Sequence, residues 1–143
     1  MTDITKHHST RAVVERDVAA VAAGDGATVR ERFAESATWQ LFGDMPMSGT
    51  WTGRDTIIAE FLAGALGSYE PGSIRLEITV TVADGGWAVV EWTSRARTLR
   101  GEPYENLCIG AFTVRDGKIQ AVREYMDTAY AQGMLFDRGR AAA

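Results

Sequence analysis

The stretch Ile74 to Asp127, IRLEITVTVADGGWAVVEWTSRARTLRGEPYENLCIGAFTVRDGKIQAVREYMD, decides the fold. In its first part Ile74, Leu76, Ile78, Val80 and Val82 alternate with Arg75, Glu77, Thr79 and Thr81, the period of two that marks a strand buried on one face. Asp84-Gly85-Gly86 then supplies a turn, Trp87 to about Leu99 runs back, and RGEP turns the chain again. Tyr104 to Arg115 returns, and Asp116-Gly117 leads into Lys118 to Asp127. Strands joined in sequence by short glycine turns predict an antiparallel meander.

Upstream the period changes to that of a helix. Val13, Val14, Val18 and Val21 share one arc of a helix that starts near Arg11 and stops at Gly24, a residue suited to a helix C-terminus. Asp25 is placed to cap a second short helix, which holds Val29 and Phe33 one turn apart. AESATWQLFG reads as a short strand and DMPMSGTWTG as a loop. A third helix begins near Arg54, where Ile57, Ile58, Phe61, Leu62, Ala65 and Leu66 make a broad apolar stripe and Asp55 suits the positive end of the helix dipole. A short last helix is expected around Thr128 to Phe136.

Helices that precede an antiparallel sheet must lie on one of its faces, and a sheet that curls around them leaves a closed-ended cavity. The expected class is therefore α+β: three N-terminal helices packed on a curved antiparallel sheet that encloses one pocket. The domain should span residues 11–136, with residues 1–10 and 137–143 as loose polar ends.

Composition narrows the function. With 143 residues, 45% of them hydrophobic, the chain can bury one sizeable core. A net charge of −4 and the absence of any cluster of lysine or arginine with interleaved aromatics argue against nucleic acid as a partner. No apolar run is long enough for a membrane span, and MTDITKHHST lacks the apolar middle of a secretory signal, so a cytoplasmic location is expected. Cys108 is the single cysteine, and the two histidines, His7 and His8, lie in the polar N-terminal arm, so no ligand set for a metal is read.

Several pieces resemble a known family. RAVVERDVAAVAAGD, FAESATW, SGTWTGRDTI, FTVRDGKI and VREYMDT are similar to their counterparts in the SnoaL-like proteins of the nuclear-transport-factor-2-like (NTF2-like) superfamily. That superfamily includes ketosteroid isomerases, limonene epoxide hydrolases and polyketide cyclases. The resemblance covers roughly residues 11 to 136 and implies the cone-shaped fold of that superfamily, with a pocket for a small organic molecule and no cofactor. It specifies the reaction poorly, because one fold hosts many chemistries.

The resemblance can be tested at catalytic positions. Ketosteroid isomerases use a tyrosine on the first helix, an aspartate base on the first strand and an aspartic acid on the third strand of the meander; Asp17, Leu41 and Gly110 stand there in this chain. Without that base and those donors, the steroid-type proton transfer is not expected. Limonene epoxide hydrolases resemble the chain better at VREYMD, where Glu124 takes the place of the aspartate that activates water. Their arginine and second aspartate fall at Trp92 and Ser94, and their tyrosine and asparagine at Trp39 and Leu41, so the acid for the leaving oxygen is missing.

Two acids remain for chemistry. Asp17 sits between Val13 and Val21 inside the apolar arc of the first helix, where a carboxyl must be paired, hydrogen-bonded or protonated. Glu124 shares a strand face with Val122 and Met126, while Arg123, Tyr125 and Asp127 point the other way. Each could equally be structural, Asp17 bonded to a backbone amide or an arginine and Glu124 paired with Arg95 or Arg97. Asp127, at the end of its strand, is best read as the cap of the next helix. Trp39, Leu41, Trp92, Ser94, Asn106, Cys108, Val122 and Met126 are the expected substrate-binding wall, and Tyr104 and Glu105 are given only a rim position. Cys108, with no histidine to activate it, reads as a small buried hydrophobe.

The reading is then a cofactor-independent acid/base enzyme, with Asp17 and Glu124 catalytic, acting on a hydrophobic polyketide-like or terpenoid-like molecule as a cyclase, isomerase, dehydratase or hydrolase. The alternatives are a non-catalytic binding domain and an epoxide hydrolase. A homodimer is expected through the outer face of the meander, where Val89, Ile119, Ala121 and Tyr125 would leave apolar area uncovered.

Overall fold

The computed structural model describes the backbone of residues 2–137 and the side chains of residues 10–137. Helix α1 spans Thr2–Ala23 and ends at Gly24, whose φ of +69° closes the C-terminus at no steric expense to a residue without a Cβ. Asp25 caps α2, Gly26–Arg32, by accepting from the Thr28 amide at 3.1 Å and the Thr28 hydroxyl at 2.6 Å. Strand β1, Phe33–Leu41, is followed by β2, Gly49–Thr52. Helix α3 is built of Arg54–Thr56, a wider π-helical stretch Ile57–Leu62 and Ala63–Leu66. Then come β3 Arg75–Asp84, β4 Trp87–Arg97, β5 Pro103–Arg115 and β6 Lys118–Met126. The described chain closes on α4, Thr128–Ala131, which runs on as a π-helical turn through Gln132–Asp137.

The six strands form one sheet in the order β2-β1-β6-β5-β4-β3. The meander β3 to β6 is antiparallel throughout, and β1 lies parallel to β6, with Trp39 opposite Val122 and Leu41 opposite Glu124. That parallel pairing brings the early strand onto the last one, so residues about 85 positions apart in sequence share one wall. Helix α1 crosses the inner face of β3 to β6, and α3 packs against β1 and β2. Val14, Val90, Ile57, Phe33, Phe112 and Ile119 are fully buried at the centre, and each such side chain removed from water contributes roughly 1.5–3 kcal/mol.

The structure departs from the sequence reading in five places. Phe33, expected on the second helix one turn after Val29, has extended backbone and opens β1, where pairing with β6 opposite Ile119 decides its conformation. Residues Thr2 to Thr10, expected to be a loose arm, continue α1; once valine packing holds the helix, adding a turn of backbone bonds is easy even for polar residues. Residues 138–143 of the expected C-terminal loose end lie outside the described residues. GTWT is a strand and not part of a loop: Thr50, Trp51 and Thr52 are good strand formers, but four residues are too few to show a period, and the pairing with β1 decides. In β3 the ladder shifts between Ile78 and Val80, so the alternation breaks at Thr79 and the next residues change face. Val80 and Val82 therefore point outward, Val82 at 61% exposure, instead of joining Leu76 and Ile78 inside. A similar shift between Thr113 and Val114 turns Ile119 inward, where it is completely buried, and removes it from the outer apolar set.

Candidate functional site

The inner face of the sheet, α1 and α3 close around a cavity of about 110 Å³, room for a molecule of on the order of ten water-sized atoms. Its wall is almost wholly apolar. Trp39, Leu41, Trp92, Phe112 and Met126 come from the strands, Val18 and Val21 from α1, and Phe61, Leu62 and Leu66 from α3. Trp39 stacks on Phe33 with centroids 6.0 Å apart and meets Phe61 edge-on at 5.2 Å, so its ring is fixed from two sides. Gly110 pairs with Glu124 across β5 and β6, and a Cβ there would lie 2.7 Å from the Phe112 ring and 3.0 Å from the Trp92 ring. The two aromatics thus close over a position that must lack a side chain.

Two carboxyls enter this apolar space. Asp17 is 1% exposed and neither of its oxygens has a hydrogen-bond partner. Burial pushes its pKa up to about 8, only partly offset by the Arg32 charge from α2. Glu124 is buried, and its Oε1 accepts the Trp39 indole N–H at 3.1 Å. Burial raises its pKa to about 7 against that hydrogen bond. The arginines that could have neutralised it are engaged outside: Arg95 with Glu77 at 2.5 Å and Glu105 at 3.4 Å, Arg97 with Glu70 at 3.4 Å. At neutral pH Asp17 is then mostly a neutral acid, while Glu124 divides between its two forms.

Of the residues singled out in the sequence, Asp17, Trp39, Leu41, Trp92, Ser94, Cys108, Glu124 and Met126 line the cavity. Two do not. Val122 stands in register between Trp39 and Phe112 and is buried in the core, outside the cavity wall. Asn106 is buried outside the cavity wall, its Nδ2 donating to the Tyr104 hydroxyl at 3.0 Å and to the Asp127 carbonyl at 3.1 Å, while its Oδ1 has no partner among the described residues. Asp127 caps α4 by accepting from the Tyr130 amide at 3.0 Å. Cys108 is buried beside Ser94, with Sγ 3.6 Å from Oγ, and its thiol is pushed up to about 12, so it stays protonated.

Two lining residues with polar groups escaped the sequence reading. Tyr104 is 3% exposed and faces the cavity, not the rim; its parity with Asn106 and Cys108 on β5 was the available signal. Tyr69 follows α3 within GSYEPGS, a stretch with no periodicity, and is held by an isolated bridge to Thr98. Among the described residues no three His, Cys, Asp or Glu side chains gather to hold a metal ion, and no helix is long and apolar enough to cross a membrane.

Comparisons with known proteins agree with this architecture. No curated protein matches the chain by sequence. Among solved structures, Bal32a from a soil-derived mobile gene cassette is 22% identical with a TM-score of 0.81, over 91% of this chain and 98% of its own. An NTF2-like protein from Burkholderia xenovorans LB400 is 23% identical with a TM-score of 0.73, over 90% and 97%. TerC, co-crystallised with polyporic acid, is 22% identical with a TM-score of 0.79, over 89% and 98%. The model of the SnoaL-like domain matches residues 14–133, which contain both buried acids, the whole sheet and the cavity wall, and the chain belongs to that family.

Proposed function

We propose that the protein is a cofactor-independent acid/base enzyme acting on a small hydrophobic molecule of polyketide-like or terpenoid-like character. One observation carries the reading: two buried carboxyls, Asp17 and Glu124, face one apolar cavity, and no arginine among the described residues is bonded to either. A structural acid at such depth needs a partner, because an isolated buried charge is expensive. Buried acids held without an ion pair and with raised pKa values suit proton transfer near neutral pH, since transfer is most effective when the group's pKa lies near the working pH. In this reading Glu124, oriented by the Trp39 indole, takes a proton from the substrate, and Asp17 supplies one. Cyclisation, isomerisation, dehydration and hydrolysis all fit that pair. That TerC, of the same fold, was crystallised with polyporic acid supports a small organic occupant.

The second reading is a binding domain without chemistry. It is favoured by the replacement of both known catalytic layouts, with Leu41 and Gly110 at the isomerase positions and Trp92 and Ser94 at the hydrolase positions. The lesser reading, epoxide hydrolysis, would rest on Glu124 alone as the base for water. The proposal also keeps the cytoplasmic setting expected from the sequence and a homodimer through the outer sheet face, where Val82, Val89, Ile109 and Tyr125 are exposed.

The test is a thermal-shift screen of apolar ketones, epoxides and lactones, followed by product analysis of each compound that stabilises the protein. Glu124→Gln should abolish turnover while keeping binding, and Asp17→Asn should lower the rate. Undiminished turnover in both variants would sink the acid/base reading.

A further inference from the structure

Tyr69 and Tyr104 both line the cavity, and their rings meet at 5.2 Å with a 56° tilt. Tyr104 is buried on the inner face of β5, three inward steps (Asn106, Cys108, Gly110) from the row of Glu124. The amide of Asn106 gives one N–H to the Tyr104 oxygen and the other to the Asp127 carbonyl. The Asp127 carbonyl can only accept, so the amide nitrogen must face it, and the same nitrogen makes Tyr104 Oη the acceptor in its bond. The Tyr104 proton is therefore left to give elsewhere. Two neighbouring phenols hold two protons and can use at most one between them, so one O–H remains for a molecule in the cavity.

We propose that Tyr69 and Tyr104 form a hydrogen-bond donor subsite that receives a carbonyl or quinone oxygen, with Asn106 as its positioning residue, and that the ligand is a compact cyclic ketone or quinone whose other end faces Glu124. This rests on the acid/base reading for the second half only. Neither tyrosine corresponds to a donor position of the isomerase or hydrolase layouts, so the subsite is supplied by other elements of the same fold. Burial raises both phenols above the ordinary tyrosine value, so both keep their protons near neutral pH. The rest of the wall is apolar, which makes a hydrogen bond here strong relative to water.

The probes are 2-tetralone and tetralin, which share shape and size and differ in the carbonyl, titrated by tryptophan fluorescence. The wild type should bind 2-tetralone about tenfold more tightly than tetralin, equivalent to about 1.4 kcal/mol. Tyr104→Phe should remove the preference, Tyr69→Phe should weaken it, and Glu124→Gln should keep it. The carbonyl stretch of bound 2-tetralone should move to lower wavenumber in the wild type and return in Tyr104→Phe. Should Tyr104→Phe fail to fold, Tyr69→Phe and the infrared shift still decide. Equal affinity for the two probes in the wild type, no binding of 2-tetralone, or a preference that survives when Tyr69→Phe and Tyr104→Phe are combined in one chain would overturn the proposal. Exchange of the α-protons of 2-tetralone in D2O reports on Glu124 separately. A wild type that prefers 2-tetralone without exchanging it supports the subsite and counts against the acid/base reading, and one that exchanges it with no preference does the reverse.

Discussion

Glu105 and Glu124 stand on opposite faces of the same sheet and meet opposite environments. Outside, Glu105 and Glu77 flank Arg95 in an exposed row, solvated and paired. Inside, Glu124 has an indole N–H and an apolar wall, and Asp17 has no hydrogen-bond partner. The same contrast runs along one stretch of chain, where Asp25 is held below the usual carboxylate range by the Thr28 hydroxyl and amide while Asp17 rises to about 8. The difference teaches that charge is cheap on the outer face and withheld on the inner one. The inner acids keep their protons to higher pH than the outer ones because burial penalises the charged form.

The largest effect that could break this comparison is on pH dependence. For Asp17 the native pKa, about 8, lies above the unfolded 3.8, and for Glu124 about 7 lies above 4.5. Between those limits the native state keeps protons that the unfolded chain has lost. Stability must then fall as pH rises, by up to about 1.4 kcal/mol per pH unit for each acid, with the full benefit present below about pH 4. Urea titrations from pH 4.5 to 9 should show a loss on the order of 5 kcal/mol for Asp17, and Asp17→Asn should flatten the slope and exceed the wild type at pH 9. A wild-type profile that rises with pH would mean that the inner acids are paired after all.

Next in size is the inner wall. Trp39→Ala should reduce stability by about 3–5 kcal/mol in denaturant titrations, since it opens a large void among Phe33, Phe61 and Val122. Trp39→Phe should keep most of that stability but raise the Glu124 pKa, read by infrared or NMR titration, because only the N–H is removed. Gly110→Ala should cost about 1–3 kcal/mol, since its Cβ would force the Phe112 and Trp92 rings to shift. The smallest effect belongs to the outer face: Arg95→Gln should leave the melting temperature nearly unchanged, with any difference vanishing in added salt. A large drop there would put the outer row on the same footing as the inner one.

Much of this was legible in the chain itself. The meander, the helix arcs, the turn at Gly24 and Asp25, and the placement of Asp17 and Glu124 on apolar faces all follow from local periods of 2 and 3.6, which a single strand or helix imposes on its own sequence. The SnoaL-like resemblance was likewise carried by short local motifs. What the residues could not announce is relational. The break in the ladder at Thr79 exists only when β3 is laid against β4, and it decides which valines face outward. The strand at Gly49–Thr52 exists only because β1 has an edge for it.

The site divides in the same way. Sequence alone determined that two acids would sit among apolar residues, because side-chain direction along a helix or strand is fixed by local geometry. Only the tertiary structure decided that they share one cavity, that Arg95 and Arg97 find partners elsewhere, and that Tyr69 arrives from an aperiodic loop to meet Tyr104. Those are distances between residues far apart in the chain, set by how the sheet curls and how its strands register, and no local period encodes them.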